Sequence, residues 1–274
     1  MAIEMIREID DPRVRWYRLI RERVLRRDTG RFIADGRKVV KRMIDAGIAV
    51  DSVLADEQAA PIAASWVDAD APIYTASTDL MERIVGFKVH TGMLALGQRP
   101  PAPSLDDLMA RARRPATLVV ASHIKEAVNL GSLIRTCGAL GVDGLVIGPE
   151  CCDPWYRRAV RVSMGAVFTM PVVRCDDLPR ALRELREQHG VRALATMLHE
   201  EATPLEKVDH VGPVALVLGH EVHGLDAATA AACDGAATIP MARGTDSLNV
   251  AVAAGIFAHH LLRVARREET GEPG

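Results

Sequence analysis

Residues 118–148 read LVVASHIKEAVNLGSLIRTCGALGVDGLVIG, and the fold class follows from this segment. It opens with LVVAS at 118–122 and closes with GLVIG at 144–148, two near-continuous apolar runs that are typical of buried strands. The residues at about 130–140 between them are long enough to form a helix. A strand, a helix and a second strand in this order predict a parallel pair joined by a crossover helix.

The same alternation continues along the chain. Further apolar runs are VFTMPVV at 167–173, RALATM at 192–197 and VALVLG at 214–219. Helices are predicted at about 153–162, 177–188, 225–232 and 247–267. The C-terminal part is therefore expected to be an α/β domain with a mostly parallel sheet and helices on both faces.

A proline cluster separates this part from the N-terminal part. Arg99-Pro100-Pro101-Ala102-Pro103-Ser104 can continue neither a helix nor a central strand. We expect a linker at 99–115, in which Ser104 caps a short helix, and the larger domain at 116–274. Residues 1–98 are expected to form a small α/β domain. Its predicted helices lie at 16–27, 36–46 and 78–85, and its predicted strands at 52–55, 72–75 and 92–96.

Charge is unevenly distributed along the chain. The net charge is −2, but residues 1–42 carry +6 and residues 43–82 carry −8. The basic stretch could contact RNA phosphates or could form a solvated helix face, and charge alone does not separate the two. Aromatic residues make up only 4% of the chain, which argues against a surface with many base-stacking platforms.

Composition also indicates the cellular setting. Five cysteines without C-x-x-C spacing argue against a disulfide framework or a zinc ribbon. No apolar run approaches the ~20 residues of a membrane span, and the N-terminal MAIEMIREIDDP has no apolar core of signal-peptide length. We expect a cytoplasmic protein with neither a membrane nor a metal partner.

Several familiar catalytic templates are missing. The sequence has no G-x-G-x-x-G after a strand, no G-x-x-x-x-G-K-[ST] and no G-x-S-x-G, so a dinucleotide enzyme, a P-loop NTPase and an α/β-hydrolase are unsupported. His220 and His223 are three residues apart in a strand-exit loop, whereas a zinc protease needs histidines four apart on a helix. Cys137 lies in an apolar helix segment and is expected to be a core residue.

Ligands of parallel sheets bind beyond the carboxyl ends of the strands, so the loops that follow the apolar runs are candidate binding segments. Gly219 and Gly224 bracket Glu221 and allow a flat ligand to approach the backbone, although Gly224 could simply serve a turn. Apolar walls could come from Ile239, Pro240, Met241 and Leu248. Either Ser247 or Asp246 is expected to cap the last helix, with Asn249 in its first turn.

Three segments taken together resemble a known family. They are N-L-G-S-L-I-R-T at 129–136, G-H-E-V-H-G-L at 219–225, and I-P-M at 239–241 followed by S-L-N-V at 247–250. Their order and separation are similar to those of the three motifs of the SpoU/TrmH family of SPOUT RNA 2′-O-ribose methyltransferases. The resemblance covers residues 116–266, and residues 28–98 resemble the N-terminal RNA-binding domain found on many members. Ser122 and His123 depart from the acidic residue and glycine that are commoner there.

The resemblance implies a C-terminal trefoil knot that binds S-adenosyl-L-methionine, and a homodimer whose active site uses both subunits. The implied cofactor-binding residues are Leu218, Gly219, Ile239, Met241, Leu248 and Asn249. The implied catalytic residues are Arg135, Asn129, Glu221, Ser247 and Asn249, with Arg135 at the ribose 2′-hydroxyl. The residues expected to contact RNA phosphates are Arg7, Arg13, Arg15, Arg18, Arg21, Arg37 and Lys38. An apolar helix face with Leu248, Val252, Gly255, Ile256 and His259 is expected to form part of the dimer interface.

The sequence thus predicts an S-adenosylmethionine-dependent RNA methyltransferase that modifies a ribose 2′-hydroxyl, with ribosomal RNA favoured and tRNA as the alternative. A guanidinium group has a pKa above about 12, so we expect Arg135 to fix a phosphate and stabilise developing alkoxide charge rather than to act as a base. An RNA-binding protein without catalysis is the alternative from another functional class.

Overall fold

The structure is a computed structural model that describes residues 3–18, 29–199, 201–208, 212–220, 223–242 and 247–270, with side chains to residue 264 in the last helix. In chain order its elements are β1 (Ile3–Met5), α1 (Arg15–Arg18), β2 (Arg31–Asp35), α2 (Arg37–Asp45), β3 (Val50–Ala55), α3 (Ala60–Ala64), β4 (Ile73–Thr75), α4 (Thr78–Val85), β5 (Met93–Gln98), α5 (Leu105–Arg111), β6 (Thr117–Ala121), α6 (Ala127–Leu140), β7 (Gly144–Ile147), α7 (Arg157–Val162), β8 (Val172–Arg174), α8 (Leu178–His189), β9 (Arg192–Thr196), β10 (Thr203–Pro204), β11 (Val214–Leu218), α9 (Ala227–Ala231), β12 (Gly235–Thr238) and α10 (Val250–Thr270). None of the described helices is long and apolar enough to cross a membrane.

The chain divides into two compact units. The first unit comprises residues 1–101 together with 154–169, and the second comprises 102–153 together with 170–274. The first unit contains a five-stranded mixed sheet in the order β1-β4-β3-β5-β2. In this sheet β1 and β3 run parallel to β4, whereas β5 is antiparallel to both β3 and β2. The predicted helix at 16–27 begins as α1, and its remainder lies outside the described residues.

The second unit contains a seven-stranded sheet in the order β10-β12-β9-β11-β6-β7-β8, and all of its strand pairs are parallel. The predicted parallel α/β architecture is therefore confirmed. Leu118 and Val120 of β6 pack on one face of the sheet with side chains of α5 and α8. Helix α10 packs against β6 and β11 of this sheet, and it also packs along α6. Every residue of the central strands β6 and β11 is buried, as expected of a parallel sheet that is covered on both faces.

Helix α5 lies within the segment expected to be a linker. Its first turn has a capping box, because Ser104 Oγ accepts a hydrogen bond from Asp107 N at 3.0 Å and the Asp107 carboxylate accepts one from Ser104 N at 2.9 Å. Leu105 and Leu108 are buried in the core of the second unit. The residues after the proline cluster thus contribute to a folded core.

The strand predicted at 167–173 is wrong over its first part. Residues Ala166–Phe168 form a 3-10 helix, which follows Gly165 at φ +81°, and only the residues from Val172 onward enter β8. The Phe168 ring lies 5.7 Å from that of Phe32 and 6.1 Å from that of Trp155, measured between centroids. An apolar run is equally compatible with a strand and with a buried turn, so the sequence alone does not separate the two. We attribute the turn to the packing of Phe168 in this aromatic cluster.

Candidate active site

A cleft of about 460 Å³ lies in the second unit, where three neighbouring strands end. Thr196 ends β9 and residues 197–199 follow it. Leu218 ends β11 and residues 219, 220 and 223–225 follow it, whereas residues 239 and 241 follow β12. The start of α10 and the residues just before it line the cleft as well. The only titratable side chains among the described lining residues are histidines, so this part of the cleft carries no permanent charge.

The cleft brings together most of the residues expected to bind the cofactor. Those that line it are Leu218, Gly219, Ile239, Met241 and Leu248, together with Ser247 from the expected catalytic set. Asn249 is adjacent in sequence but lines a different groove. Glu221, which was expected to shape the site, lies outside the described residues.

Gly219 lies where β11 ends, against the loop that follows the strand. A Cβ atom at this position would stand 2.4 Å from the carbonyl carbon of Gly224 and 2.6 Å from Leu225 N. Both contacts are with backbone, which cannot rotate away as a side chain can. Gly224 closes the loop by exchanging two hydrogen bonds with His220, at 2.8 and 2.9 Å, and its φ of +66° favours glycine.

Gly219→Ala is therefore expected to displace the loop and to weaken binding of S-adenosylhomocysteine by about 5- to 100-fold, corresponding to the ~1–3 kcal/mol cost of overpacking. Isothermal titration calorimetry measures this effect. Gly235→Ala is the matched control, because Gly235 lies in β12 of the same sheet without a left-handed φ, and a Cβ there would meet only side-chain atoms, at 3.4 and 3.6 Å. Equal affinities for Gly219→Ala and the control would contradict the assignment of this loop.

Two histidines on the loop form a stacked pair. The rings of His220 and His223 are 4.9 Å apart between centroids, with an interplanar angle of 27°. Within the described residues, no group of three or more His, Cys, Asp or Glu side chains is arranged to hold a metal ion. The pair instead forms part of the flat wall of the cleft.

Asn249 connects the start of α10 to α6. Its Nδ2 donates a hydrogen bond to Oδ1 of Asn129 at 3.0 Å, and its Oδ1 accepts one from Ala251 N at 3.0 Å. Asn249 is therefore the residue that caps α10, and the expectation that Ser247 provides the cap is wrong; Asp246 lies outside the described residues. The reason is that the helix begins at Val250, later than predicted, so that the capping position falls on Asn249.

Arg135 lies on α6, and its side chain is exposed. Among the described residues it makes no hydrogen bond or ion pair, and it does not line the cleft of its own chain. Asn129 and Asn249 are thus brought together, whereas Arg135 stands apart from them. A permanently charged guanidinium that is left unpaired on the surface is available to an anionic partner.

A second, shallower groove runs between α6 and α10. Ser132 and Thr136 form its α6 side, and Asn249, Val252, Gly255, Ile256 and His259 are among the residues of its other side. Val252 is 52% exposed and Ile256 is 41% exposed, which is unusual for large aliphatic side chains one helical turn apart. Leu248 was expected on this face but lines the cofactor cleft instead, because it precedes the helix.

Two ionisable side chains close to these segments have shifted pKa values. Burial raises the pKa of the Cys137 thiol to about 12, so Cys137 stays protonated at neutral pH and acts as a core residue of α6. Hydrogen bonds from the side chain and backbone of Thr229 lower the pKa of Asp226, which caps α9. The Asp226 carboxylate therefore stabilises the helix that follows the cleft loop.

Two family models match this chain. Residues 116–259 match the model of the SpoU rRNA Methylase family, and residues 11–95 match the MRM3-like substrate binding domain. The chain belongs to the SpoU rRNA methylase family.

Individual relatives and solved structures agree with this membership. An uncharacterized tRNA/rRNA methyltransferase of Mycobacterium tuberculosis is 39% identical over 96% of this chain and 93% of the relative. The 23S rRNA (guanosine(2553)-2′-O)-methyltransferase RlmP of Bacillus subtilis is 27% identical over 94% of this chain and 99% of its own length. The AdoMet-bound rRNA methyltransferase of Sinorhizobium meliloti is similar with a TM-score of 0.81 and 26% identity, covering 95% of this chain and 98% of that structure.

The backbone at His123, where we expected a departure from the family pattern, has an uncommon conformation. His123 adopts φ +59°, a left-handed conformation that is uncommon for a residue with a side chain. Ser122 is fully buried, and its Oγ lies 2.5 Å from Nδ1 of His123. This hydrogen bond holds in place a turn that glycine would adopt without strain.

The expected RNA-contacting residues of this SpoU protein are distributed over the first unit. Arg13 is bound by Glu4 and Asp11, Arg18 donates to the Asp10 carbonyl at 3.2 Å, and Arg37 Nε donates to the Thr91 carbonyl at 2.8 Å. Arg13 and Arg15 line one cleft of this unit. Exposed side chains without such bonds among the described residues are those of Arg7, Arg15 and Lys38. Arg21 lies outside the described residues.

One wall of the cofactor cleft was missed from the sequence. The side chains of Met197, Leu198 and His199 follow β9 and line the cleft, and Leu198 is 57% exposed. No short motif marks these residues. The sequence signal that could have identified them is their position at the end of the apolar run at 192–197 and just after it, since ligand sites form where neighbouring parallel strands end.

Proposed function

We propose that this protein transfers the methyl group of S-adenosylmethionine to a ribose 2′-hydroxyl of ribosomal RNA. The observation that carries the proposal is the cleft of about 460 Å³, because segments from all three strand ends surround it and the described lining has no fixed charge. Names of relatives support the substrate: the B. subtilis relative is a 23S rRNA 2′-O-methyltransferase, and the S. meliloti structure is an AdoMet-bound rRNA methyltransferase.

The lining of the cleft fits an adenosyl sulfonium ligand. Gly219 lets the loop backbone at Gly224 pack closely against the end of β11, and Ile239, Met241 and Leu248 supply apolar contacts. The described lining includes no lysine or arginine, so no fixed positive charge there would repel the cation. When bound, the sulfonium supplies an activated methyl group, so the protein must align the hydroxyl and assist loss of its proton.

We assign Arg135 to the ribose hydroxyl and its adjacent phosphate, where a charge-assisted donor would stabilise the developing alkoxide. The Asn249–Asn129 hydrogen bond would hold the starts of α10 and α6 in a common arrangement. Ser247 and Glu221 complete the proposed methyl-transfer centre. Because Arg135 does not line the cleft of its own chain, we further propose that it serves the cleft of a second subunit.

A homodimer is the assembly that this arrangement requires. The exposed aliphatic side chains of Val252 and Ile256 on α10 support an interface along the groove between α6 and α10. Light scattering of the full chain is expected to give twice the mass of 29.7 kDa, and a monomer would contradict the shared site.

The remaining assignments concern organisation. We propose that residues 1–98 bind the RNA substrate, that residues 99–115 connect the domains, and that residues 116–274 form the methyltransferase domain, acting in the cytoplasm. We also propose the trefoil knot that the family resemblance implies. Its support is that Ile239 and Met241, after β12, line the same cleft as the loop after β11, before the chain continues into α10. Residues 243–246 of this path lie outside the described residues.

Transfer of tritiated methyl groups from S-adenosylmethionine to total RNA, with mapping of the labelled nucleotide, tests the proposed function. We expect label on a ribose 2′-oxygen of ribosomal RNA. Label confined to tRNA would replace the substrate assignment. If the protein neither transfers methyl groups nor binds S-adenosylhomocysteine in calorimetry, the RNA-binding protein without catalysis becomes the better description.

A further inference from the structure

A second cleft, in the first unit, combines aromatic rings with arginines. It has a volume of about 360 Å³ and includes Trp16, Tyr74, Arg13, Arg15 and Arg31 in its lining. This size lies within the range of small-ligand sites. The combination differs from that of the methyltransferase cleft, whose described lining carries no arginine.

Trp16 supplies a flat surface whose position is fixed. One part of the side chain packs against the core cluster of the first unit, and the residue as a whole is half-buried. The guanidinium carbon of Arg15 lies 4.7 Å from the indole centroid, and that of Arg31 lies 5.6 Å from it. Guanidinium groups thus already lie against this ring, and aromatic rings and guanidinium planes are the groups on which proteins stack unpaired nucleobases.

The three arginines differ in how far their charge is neutralised. Arg13 is paired with Glu4 at 2.8 Å and with Asp11 at 2.6 Å. Arg31 is paired with Asp51, whose other carboxylate oxygen accepts a hydrogen bond from Gln98 at 2.6 Å. Arg15 is exposed and has no carboxylate within ion-pair distance among the described residues. Within the described part of the chain, the cleft therefore holds one cation without a carboxylate partner, beside an aromatic ring.

We propose that this cleft binds a single unpaired nucleotide of the RNA substrate, with its base stacked on Trp16 and its phosphate on Arg15. That the ligand is RNA rests on the proposed function. An unpaired nucleotide is required because the bases of a duplex are stacked on each other and cannot reach an indole face. The paired Arg31 and Arg13 position the walls, whereas Arg15 remains free to exchange its contact with Trp16 for a phosphate.

Binding of a fluorescent single-stranded oligoadenylate to the full chain tests this site. Trp16→Leu retains apolar packing but removes the flat ring, and it is expected to weaken binding by about tenfold, as for the loss of one base–aromatic stack. Trp66→Leu is the matched control, because Trp66 is also half-buried in the first unit and lies 6.0 Å from a cation, Lys41, but is outside the cleft. Equal loss in both variants, or in neither, would overturn the proposal.

Arg15→Ala gives an independent readout. It is expected to lower the slope of log affinity against log salt concentration by about 0.7, the value for one phosphate contact on a single strand. An unchanged slope would argue that the phosphate lies elsewhere and would overturn the assignment of Arg15.

Photocrosslinking of the unmodified protein to an oligonucleotide with 4-thiouridine avoids any dependence on how the variants fold. Adducts on Trp16 or Tyr74 are expected, and adducts only on other residues would contradict the site. Methyl transfer distinguishes this proposal from the proposed function. Binding through Trp16 without methyl transfer to any RNA would leave the nucleotide site standing and remove the enzymatic assignment. Methyl transfer by the protein, together with unimpaired oligoadenylate binding by Trp16→Leu, would keep the enzymatic assignment and remove the nucleotide site.

Discussion

Arg135→Ala is expected to lower the rate of methyl transfer by about 100- to 1000-fold, the usual cost of removing a donor that stabilises transition-state charge. Binding of S-adenosylhomocysteine should remain unchanged, because Arg135 does not line the cofactor cleft of its own chain. Single-turnover transfer to RNA and calorimetry measure the two effects separately. Turnover equal to that of the unmodified protein would remove Arg135 from the catalytic assignment.

Arg183→Ala is the control for a general loss of positive charge. Arg183 is an exposed arginine on a helix of the second unit, α8, and makes no hydrogen bond or ion pair among the described residues. It should retain nearly full activity. If both substitutions reduce transfer equally, then overall charge rather than a catalytic contact is responsible.

Mixing two inactive variants tests whether Arg135 serves the partner's cleft. A mixed dimer of Arg135→Ala and Gly219→Ala subunits would have one site with an intact cleft and an intact Arg135. After subunit exchange at low cofactor concentration, we expect about one quarter of the unmodified activity, since half of the dimers are mixed and each has one working site. No recovery would indicate that Arg135 acts within its own subunit.

Asp35→Asn is expected to destabilise the first unit by about 3 kcal/mol, because it removes the charge of a buried carboxylate that binds two arginines. Asp35 is 3% exposed and accepts hydrogen bonds from Arg157 at 2.8 Å and from Arg161 at 3.1 Å. The Arg157 guanidinium also lies 3.7 Å from the centroid of Phe87, so it cannot turn to water without losing that contact. The substitution preserves shape and removes only the charge.

Urea unfolding followed by tryptophan fluorescence measures this loss selectively. The chain has three tryptophans, at positions 16, 66 and 155, and all belong to the first unit. Asp45→Asn is the matched control, because Asp45 is 55% exposed and pairs with Lys41 on the surface of the same unit. Such a pair is worth less than about 1 kcal/mol. A midpoint shift for Asp35→Asn no larger than that of the control would contradict the importance of this buried cluster.

The sequence predicted the strands that depend on local composition and missed those that do not. Apolar runs at 118–122, 144–148, 192–197 and 214–219 all correspond to buried parallel strands. By contrast, β12 reads GAAT and has no bulky β-branched or aromatic side chain except its terminal threonine. It is a strand because β9 and β10 on either side satisfy its backbone hydrogen bonds. That pairing is invisible in four small residues.

The candidate site divides in the same way. The sequence by itself predicted two of the three loops that border the cleft, those after β11 and β12, since parallel strands place their carboxyl ends along one edge of a sheet and strand-exit loops meet there. Only the tertiary structure decided that Asn249 bonds Asn129 across 120 residues and that Asp35 binds Arg157 across 122 residues. Local composition constrains backbone conformation over a few residues. Partners far apart in sequence are selected by packing and desolvation of the folded chain as a whole, and those forces leave no local pattern.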